Sequence, residues 1–295
     1  MTDGAGNDPF VAHRSLLFTV AYEMLGSAVE AEDVVQETWL RWVGVDHGQV
    51  QHPRAYLVRM VTRQALNRLR TVSRRREDYV GEWLPEPLET SPDVAADLEL
   101  VANVSIAMLT VLETLAPAER AVFVLREVFD TPYDEIAEVV GKSPAAVRQI
   151  AHRARDHVAA RRPRMQVAPA EQLAVVESFM AAVTTGDVQT LLSLLAPDVV
   201  VTADGGGIVP AARTPVTGAE RVAVLLSRIA GGPTFTAAIT WFNGMPGIRL
   251  DVDNEGVAIA VAVGLVIEGG LITRIYAINN PHKLGRLGTV AELRR

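Results

Sequence analysis

The chain has no cysteine, which excludes disulfides and thiolate metal sites. Its six histidines are scattered, so a zinc site is not expected, and neither is any other metal or cofactor. No apolar run approaches the roughly 18 residues of a membrane span, and no membrane partner is expected. The opening MTDGAGNDPF is polar and acidic, unlike a secretory leader, and the expected location is the cytoplasm. Lysine is nearly missing: Lys142 and Lys283 are the only two, and every other basic residue is Arg.

What is present is length and segregated charge. The 295 residues suffice for two or three domains, and 49% hydrophobic content supplies their cores. The net charge of −7 argues against a nucleic-acid partner only as an average. Eight Arg and no acid lie between Arg54 and Arg76. Fifteen acids oppose Arg120 and Arg126 between Glu77 and Val139. Seven basic residues oppose Asp156 alone between Val140 and Arg164. Two basic patches around an acidic stretch suggest two DNA-facing modules and an unbound segment between them.

The stretch Thr131–Val158 reads as a helix-turn-helix. Ile136, Ala137, Val139 and Val140 form one apolar face, and Gly141 supplies a left-handed stop. Ser143 is an N-cap with Pro144 at the first helical position. Val147, Ile150, Ala151 and Ala154 then make a stripe that leaves Arg148, Gln149, His152, Arg153 and Arg155 off it.

Upstream, Phe10 to Arg76 predicts three helices. In Ala31–Val43, Val35, Trp39 and Trp42 face a core, while Asp33, Gln36 and Glu37 form an acidic ridge. In Tyr56–Arg76, Arg59, Arg63, Asn67, Arg70 and Arg74 recur at helical spacing. Arg tracks phosphates, and Asn reads a base edge or a flipped base. Tyr79 to Asp93, with Pro85, Pro87 and Pro92, reads as a linker. Trp83 and Leu84 are too apolar for solvent and are expected to dock. From Val167 the pattern becomes helices, then Val199–Ala203, Gly205-Gly206-Gly207 and a helix near Ala219–Ala230. Strand runs Phe235–Phe242, Ile248–Val252, Val257–Ile267 and Leu271–Asn279 follow, with a hairpin turn at Gly269-Gly270: an α+β domain.

AEDVVQETWLRWV followed by YLVRMVTRQALNRLR resembles region 2 of the extracytoplasmic-function (ECF) sigma factors. Ala116 to Arg155 resembles region 4 of the same family. The C-terminal part resembles the SnoaL-like branch of the NTF2-like fold. The motifs of the fused subgroup are WLPEPL (Trp83–Leu88), DGGG (Asp204–Gly207) and NPHKL (Asn280–Leu284), with His282 where Asp is usual and Ile208 where Lys is common.

The resemblance implies a multidomain fold: two all-α sigma domains, a region 2 bundle and a region 4 helix-turn-helix, followed by an α+β NTF2-like cone. Region 2 would span 1–78, an acidic linker 79–107, region 4 108–164 and the SnoaL-like domain 165–295. It implies a non-enzymatic, alternative RNA polymerase sigma factor regulated by its own C-terminal domain. Core polymerase, through its beta and beta-prime subunits, would meet Asp33, Gln36, Glu37 and Arg41. The −10 element would meet Arg59, Arg63, Asn67, Arg68, Arg70, Arg74 and Arg75. The −35 element would meet Lys142, Ser143, Ala145, Ala146, Arg148, Gln149, His152, Arg153 and Arg155. Trp83, Leu84, Pro85, Asp204, Gly205, Gly206, Gly207, Asn280, Pro281, His282, Lys283 and Leu284 would carry the regulation, with linker and C-terminal tail packed on the SnoaL-like domain. A small ligand in its pocket is a further expected partner.

Two other readings stand beside this one: a ligand-sensing helix-turn-helix regulator, and a SnoaL-like cyclase or isomerase on a DNA-binding scaffold. The enzyme would draw on Asp204, His282 and Tyr276. Asp204 at a strand end equally suits capping of the glycine turn.

Overall fold

A computed structural model describes residues 8–76, 79–162, 169–232, 234–254 and 257–294. They divide into two units. One comprises Met1–Glu77, Leu109–Arg162 and Glu292–Arg295; the other comprises Asp78–Met108 and Pro163–Ala291.

The first unit begins with α1 (Pro9–Leu25), α2 (Ala28–Trp42) and α3 (Pro53–Arg76), packed on one another. Their starts are chemically marked. The Asp8 carboxylate accepts the Phe10 N–H at 2.7 Å, and Ser27 caps α2 from the Glu30 N–H. Trp42 is buried, and its indole N–H donates to Asp8 at 3.0 Å, which satisfies the ring's polar atom. Next come α4 (Leu98–Val104), which belongs to the second unit, and α5 (Ile106–Glu113), in which the boundary falls. Then α6 (Pro117–Phe123) runs into a π-helical turn, followed by α7 (Tyr133–Val140) and α8 (Pro144–Ala159). The turn between α7 and α8 has the expected chemistry. Gly141 stands at φ 71°, where a side chain would be strained, and Ser143 accepts the Ala146 N–H.

α6 and α7 pack against α3. Beneath them the Arg120 guanidinium is buried and donates to the Glu23 carbonyl at 3.0 Å and to Glu113. The Glu23 carboxyl is fully buried, and among the described residues neither of its oxygens has a hydrogen-bond partner. Burial pushes its pKa up to about 8 against the opposing pull of Arg120. The end of the chain also belongs here. Leu293 is buried, and the Arg294 N–H donates to the Thr19 hydroxyl of α1 at 3.0 Å. From sequence the C-terminal tail is expected to pack on the C-terminal domain; its last residues fall with the first unit instead.

The second unit holds α9 (Pro169–Thr185), α10 (Val188–Leu194) and α11 (Ala219–Ala230) with one six-stranded sheet. Its strands are β1 (Leu195–Asp204), β2 (Val216–Thr217), β3 (Thr234–Phe242), β4 (Met245–Asn254), β5 (Val257–Glu268) and β6 (Leu271–Ile278). The order is β2-β1-β6-β5-β4-β3, and only β1 and β6 run parallel. The four late strand runs lie close to where the sequence pattern places them. The short β2 and the extension of β1 back to Leu195 carry no comparable pattern.

Strand alternation explains what covers the sheet. On β5, Val261, Val263, Leu265 and Ile267 turn toward the three helices. Ala260, Ala262 and Val266 turn the other way. That second face is closed by Leu84, Ile106 and Ala107, which belong to Asp78–Met108. The linker is thus a structural layer of the C-terminal unit. Among the described residues, no helix is long and apolar enough to cross a membrane.

Candidate nucleic-acid interface and linker clasp

The ridge on α2 is present but shared. Gln36 and Glu37 are exposed, whereas Asp33 is ion-paired with Arg68 at 2.8 Å. The Arg41 guanidinium lies against the Gln64 amide, turned so that its oxygen faces the cation. Three apolar residues at helical spacing join this surface: Val29, Leu40 and Val43, with Leu40 68% exposed. The sequence pattern assigned them no role. Their signal was apolar residues at 29, 40 and 43, off the core stripe of Val35, Trp39 and Trp42.

On α3, Asn67 and Arg70 are exposed, 3.4 Å apart. Three other arginines expected to face DNA are engaged within the unit. Arg59 pairs with Glu135 of α7 at 3.2 Å, and Arg63 donates to the Glu138 carbonyl at 3.2 Å. Arg68 bonds both Glu30 and Asp33, and its hydrogen bond to Glu30 above all raises its pKa. The basic stripe is therefore partly engaged in the free protein: α7 contributes carboxylate and carbonyl oxygens where the stripe passes it. The side chains of Arg74 and Arg75 lie outside the described residues.

On α8, Arg148, Gln149, His152, Arg153 and Arg155 are exposed, as are Lys142, Ser143 and Ala145; Ala146 is half-buried. Arg148 lies over the Tyr133 ring, 5.6 Å from its centre. His152 meets Asp156 at 2.7 Å. Arg155 donates twice to Glu127, at 3.1 and 3.2 Å, and this bonding raises its pKa. Gln149 and Arg153 carry no side-chain partner among the described residues.

The three distant motifs of the second unit converge because β1 and β6 are parallel neighbours. Asp204 and Ile278 stand side by side at their ends, so DGGG and NPHKL emerge together. The Asn279 and Asn280 N–H groups both donate to the Asp204 carbonyl at 2.9 Å. The Asp204 carboxylate accepts four bonds: Tyr79 hydroxyl 2.6 Å, Gly206 N–H 3.1 Å, Leu84 N–H 2.8 Å and Lys283 ammonium 2.6 Å. Lys283 also donates to the Leu84 carbonyl at 2.5 Å and lies 4.0 Å from the centre of the Trp83 ring. Asn280 donates to the Tyr79 hydroxyl at 2.7 Å. Burial, then the neighbouring Asp204, pushes the Tyr79 pKa up. A Cβ on Gly206 would fall 2.3 Å from the Asn280 amide, so only glycine permits this approach. Pro85 and Leu284 are buried; Pro281 and His282 are exposed, and the His282 N–H donates to the Asn280 side-chain oxygen at 3.0 Å.

Asn243 is a further clasp residue that the motifs did not reveal. It sits at φ 56° in the turn between β3 and β4. Its buried side chain accepts the Leu88 N–H at 3.0 Å and donates to the Val104 carbonyl at 2.8 Å. The Asn-Gly pair between two apolar runs was the available signal.

On the helix-covered face lies a cavity of about 430 Å³. Asp204, His282 and Tyr276 do not line it, and Tyr276 packs in the cluster on the opposite face. The acid–base trio expected of an enzyme is therefore not assembled there.

Two family matches fall on the helical segments: Sigma-70 region 2 over residues 10–75 and Sigma-70, region 4 over residues 105–158. The ECF RNA polymerase sigma factor SigJ of Mycobacterium tuberculosis is 37% identical over 286 residues, 93% of this chain and 91% of that protein. The probable ECF RNA polymerase sigma factor SigI of the same species is 34% identical over 280 residues, 94% and 93% of the two chains. The crystal structure of SigJ superposes with a TM-score of 0.75 at 34% identity, covering 93% of this chain and 96% of that one. Likeness of this extent reaches past the two sigma regions into the C-terminal unit. The chain belongs to the ECF group of sigma-70-family RNA polymerase sigma factors, and its function is that of an alternative sigma factor.

Proposed function

We propose that α2 docks this sigma factor on core polymerase through Gln36, Glu37 and the exposed Leu40 and Val43. In this reading α3 serves the −10 element and the exposed face of α8 the −35 element. Engagement of DNA by α3 requires Arg59 and Arg63 to leave α7. The Arg59–Glu135 ion pair is half-exposed, and such pairs are worth about 0–1 kcal/mol. The exposed Arg63 bond is to a neutral carbonyl, weaker than a charge-assisted bond to phosphate, so promoter phosphates compete with both readily.

The C-terminal unit acts as a regulatory clasp on the linker between the two sigma regions. The observation that carries this is the Asp204 carboxylate, which gathers donors from the linker, the glycine loop and the NPHKL segment at once. The covered sheet face adds apolar burial: Leu84 is 1% exposed, and truncating such a side chain costs about 2–5 kcal/mol. Because the linker is covalently attached, a docking gain of that size sustains the arrangement without a separate partner. Among the described residues the cavity lining holds no carboxylate or imidazole, which favours a regulatory role for the unit over acid–base catalysis.

The test replaces Trp83 and Leu84 with Ala and assays promoter output with core polymerase. Changed output with both units still folded is the expected result. Unchanged output with a demonstrably released linker would contradict the clasp.

A further inference from the structure

The cavity beneath α9 and α11 has a composition that selects a ligand class. Its volume, about 430 Å³, falls within the usual range of about 300–1,000 Å³ for small-molecule sites. The walls are apolar, with Phe179, Ile248 and Val263 among them. Two lining side chains carry polar groups. The Thr184 hydroxyl already donates to the Met180 carbonyl at 2.8 Å. Arg228 is the other, exposed, and without an ion pair among the described residues. The cavity reaches the surface where the exposed Thr184, Leu225 and Arg228 line it.

Sugars and nucleotides need more polar partners than this wall offers. A cationic amphiphile would place like charge beside Arg228. A neutral hydrocarbon leaves the guanidinium without a role. We propose that the cavity binds a monoanionic amphiphile, a medium-chain carboxylate, with its apolar chain inside and its carboxylate held at the mouth by Arg228. A guanidinium fork matches a carboxylate with two parallel hydrogen bonds. The ligand is bound without chemical change. Asp204 and Lys283 do not line this space, so the proposal stands or falls separately from the clasp.

The test is calorimetric titration of the full chain with decanoate, decanol and decyltrimethylammonium. Decanoate should bind more tightly than decanol, and the cation should not bind. Arg228→Gln should weaken decanoate by at least about tenfold, the lower end of what one charged hydrogen bond is worth, and change decanol less than twofold, which also reports that the cavity remains folded. Ala237→Trp fills the cavity and should abolish both, with the thermal melt retained. Equal binding of decanoate and decanol would overturn the proposal. So would a decanoate preference that survives Arg228→Gln, decanoate binding that survives Ala237→Trp, or no binding of either ligand.

Discussion

The Lys283 ammonium lies 2.6 Å from a carboxylate oxygen of Asp204, whose side chain is fully buried. A buried pair of this kind is a weak source of net stability, but removing one partner strands the other at a cost of about 3–5 kcal/mol. Lys283→Met keeps the stem over Trp83 and removes the charge. Amide exchange from Trp83 to Leu88 should accelerate about a hundredfold or more if this cost opens the clasp locally. Pairing the variant with Asp204→Asn should recover part of the loss, since the stranded charge is then gone. Exchange rates unchanged by Lys283→Met would remove the pair from the account.

Asn243 supplies both an unusual backbone conformation and two side-chain bonds to the linker. Asn243→Gly keeps the first and deletes the second. The buried Leu88 N–H and Val104 carbonyl then lose their partner, which costs about 1–3 kcal/mol per group. Asn243→Ala adds backbone strain of about 1–3 kcal/mol. Thermal unfolding should order the proteins as wild type, then Gly, then Ala. Equal melting of the Gly and Ala variants would show that the backbone conformation is immaterial.

Glu23 makes stability depend on pH in an inverted sense. Its folded pKa stands near 8 against an ordinary 4.5, so the folded state holds a proton that the unfolded chain has released between these values. Stability contributed by the neutral form is full below about pH 4.5 and is lost as pH rises through about 8. Glu23→Gln should therefore melt close to wild type at pH 5 and progressively above it toward pH 8. A constant difference across that range would contradict the buried-proton assignment.

Arg59 bonds Glu135 across a half-exposed contact. Glu135→Gln should alter stability by less than about 1 kcal/mol. It should also remove the competitor for Arg59, so promoter affinity should rise by less than about tenfold. Arg59→Gln should make the slope of log K against log salt for promoter DNA shallower by about 0.9, the value for one duplex phosphate contact. A slope unchanged by Arg59→Gln would keep Arg59 off the DNA.

Legibility in the sequence followed the range of the interaction. Gly141, Ser143 and Pro144 act within one turn, so the helix-turn-helix could be read from adjacent residues. WLPEPL, DGGG and NPHKL were legible as motifs. Their meeting depends on the parallel register of β1 and β6, which no single segment encodes. The apolar run of β5 declares two buried faces without saying that the linker covers one. The bonds of Arg59 and Arg63 to α7 join residues about seventy-five positions apart and leave no local trace. The role of Asn243 left no local trace, because it lies in two backbone groups far along the chain.

If the C-terminal unit controls a working sigma factor through the linker clasp, opening the clasp must change transcription. The decisive experiment is transcription in vitro with core RNA polymerase, comparing the full chain with its Lys283→Met variant on one promoter template. Initiation by the wild-type chain and a changed level with the variant are expected, both proteins retaining their melting transitions. Equal output from the two, with amide exchange confirming that the linker of the variant is released, would contradict it.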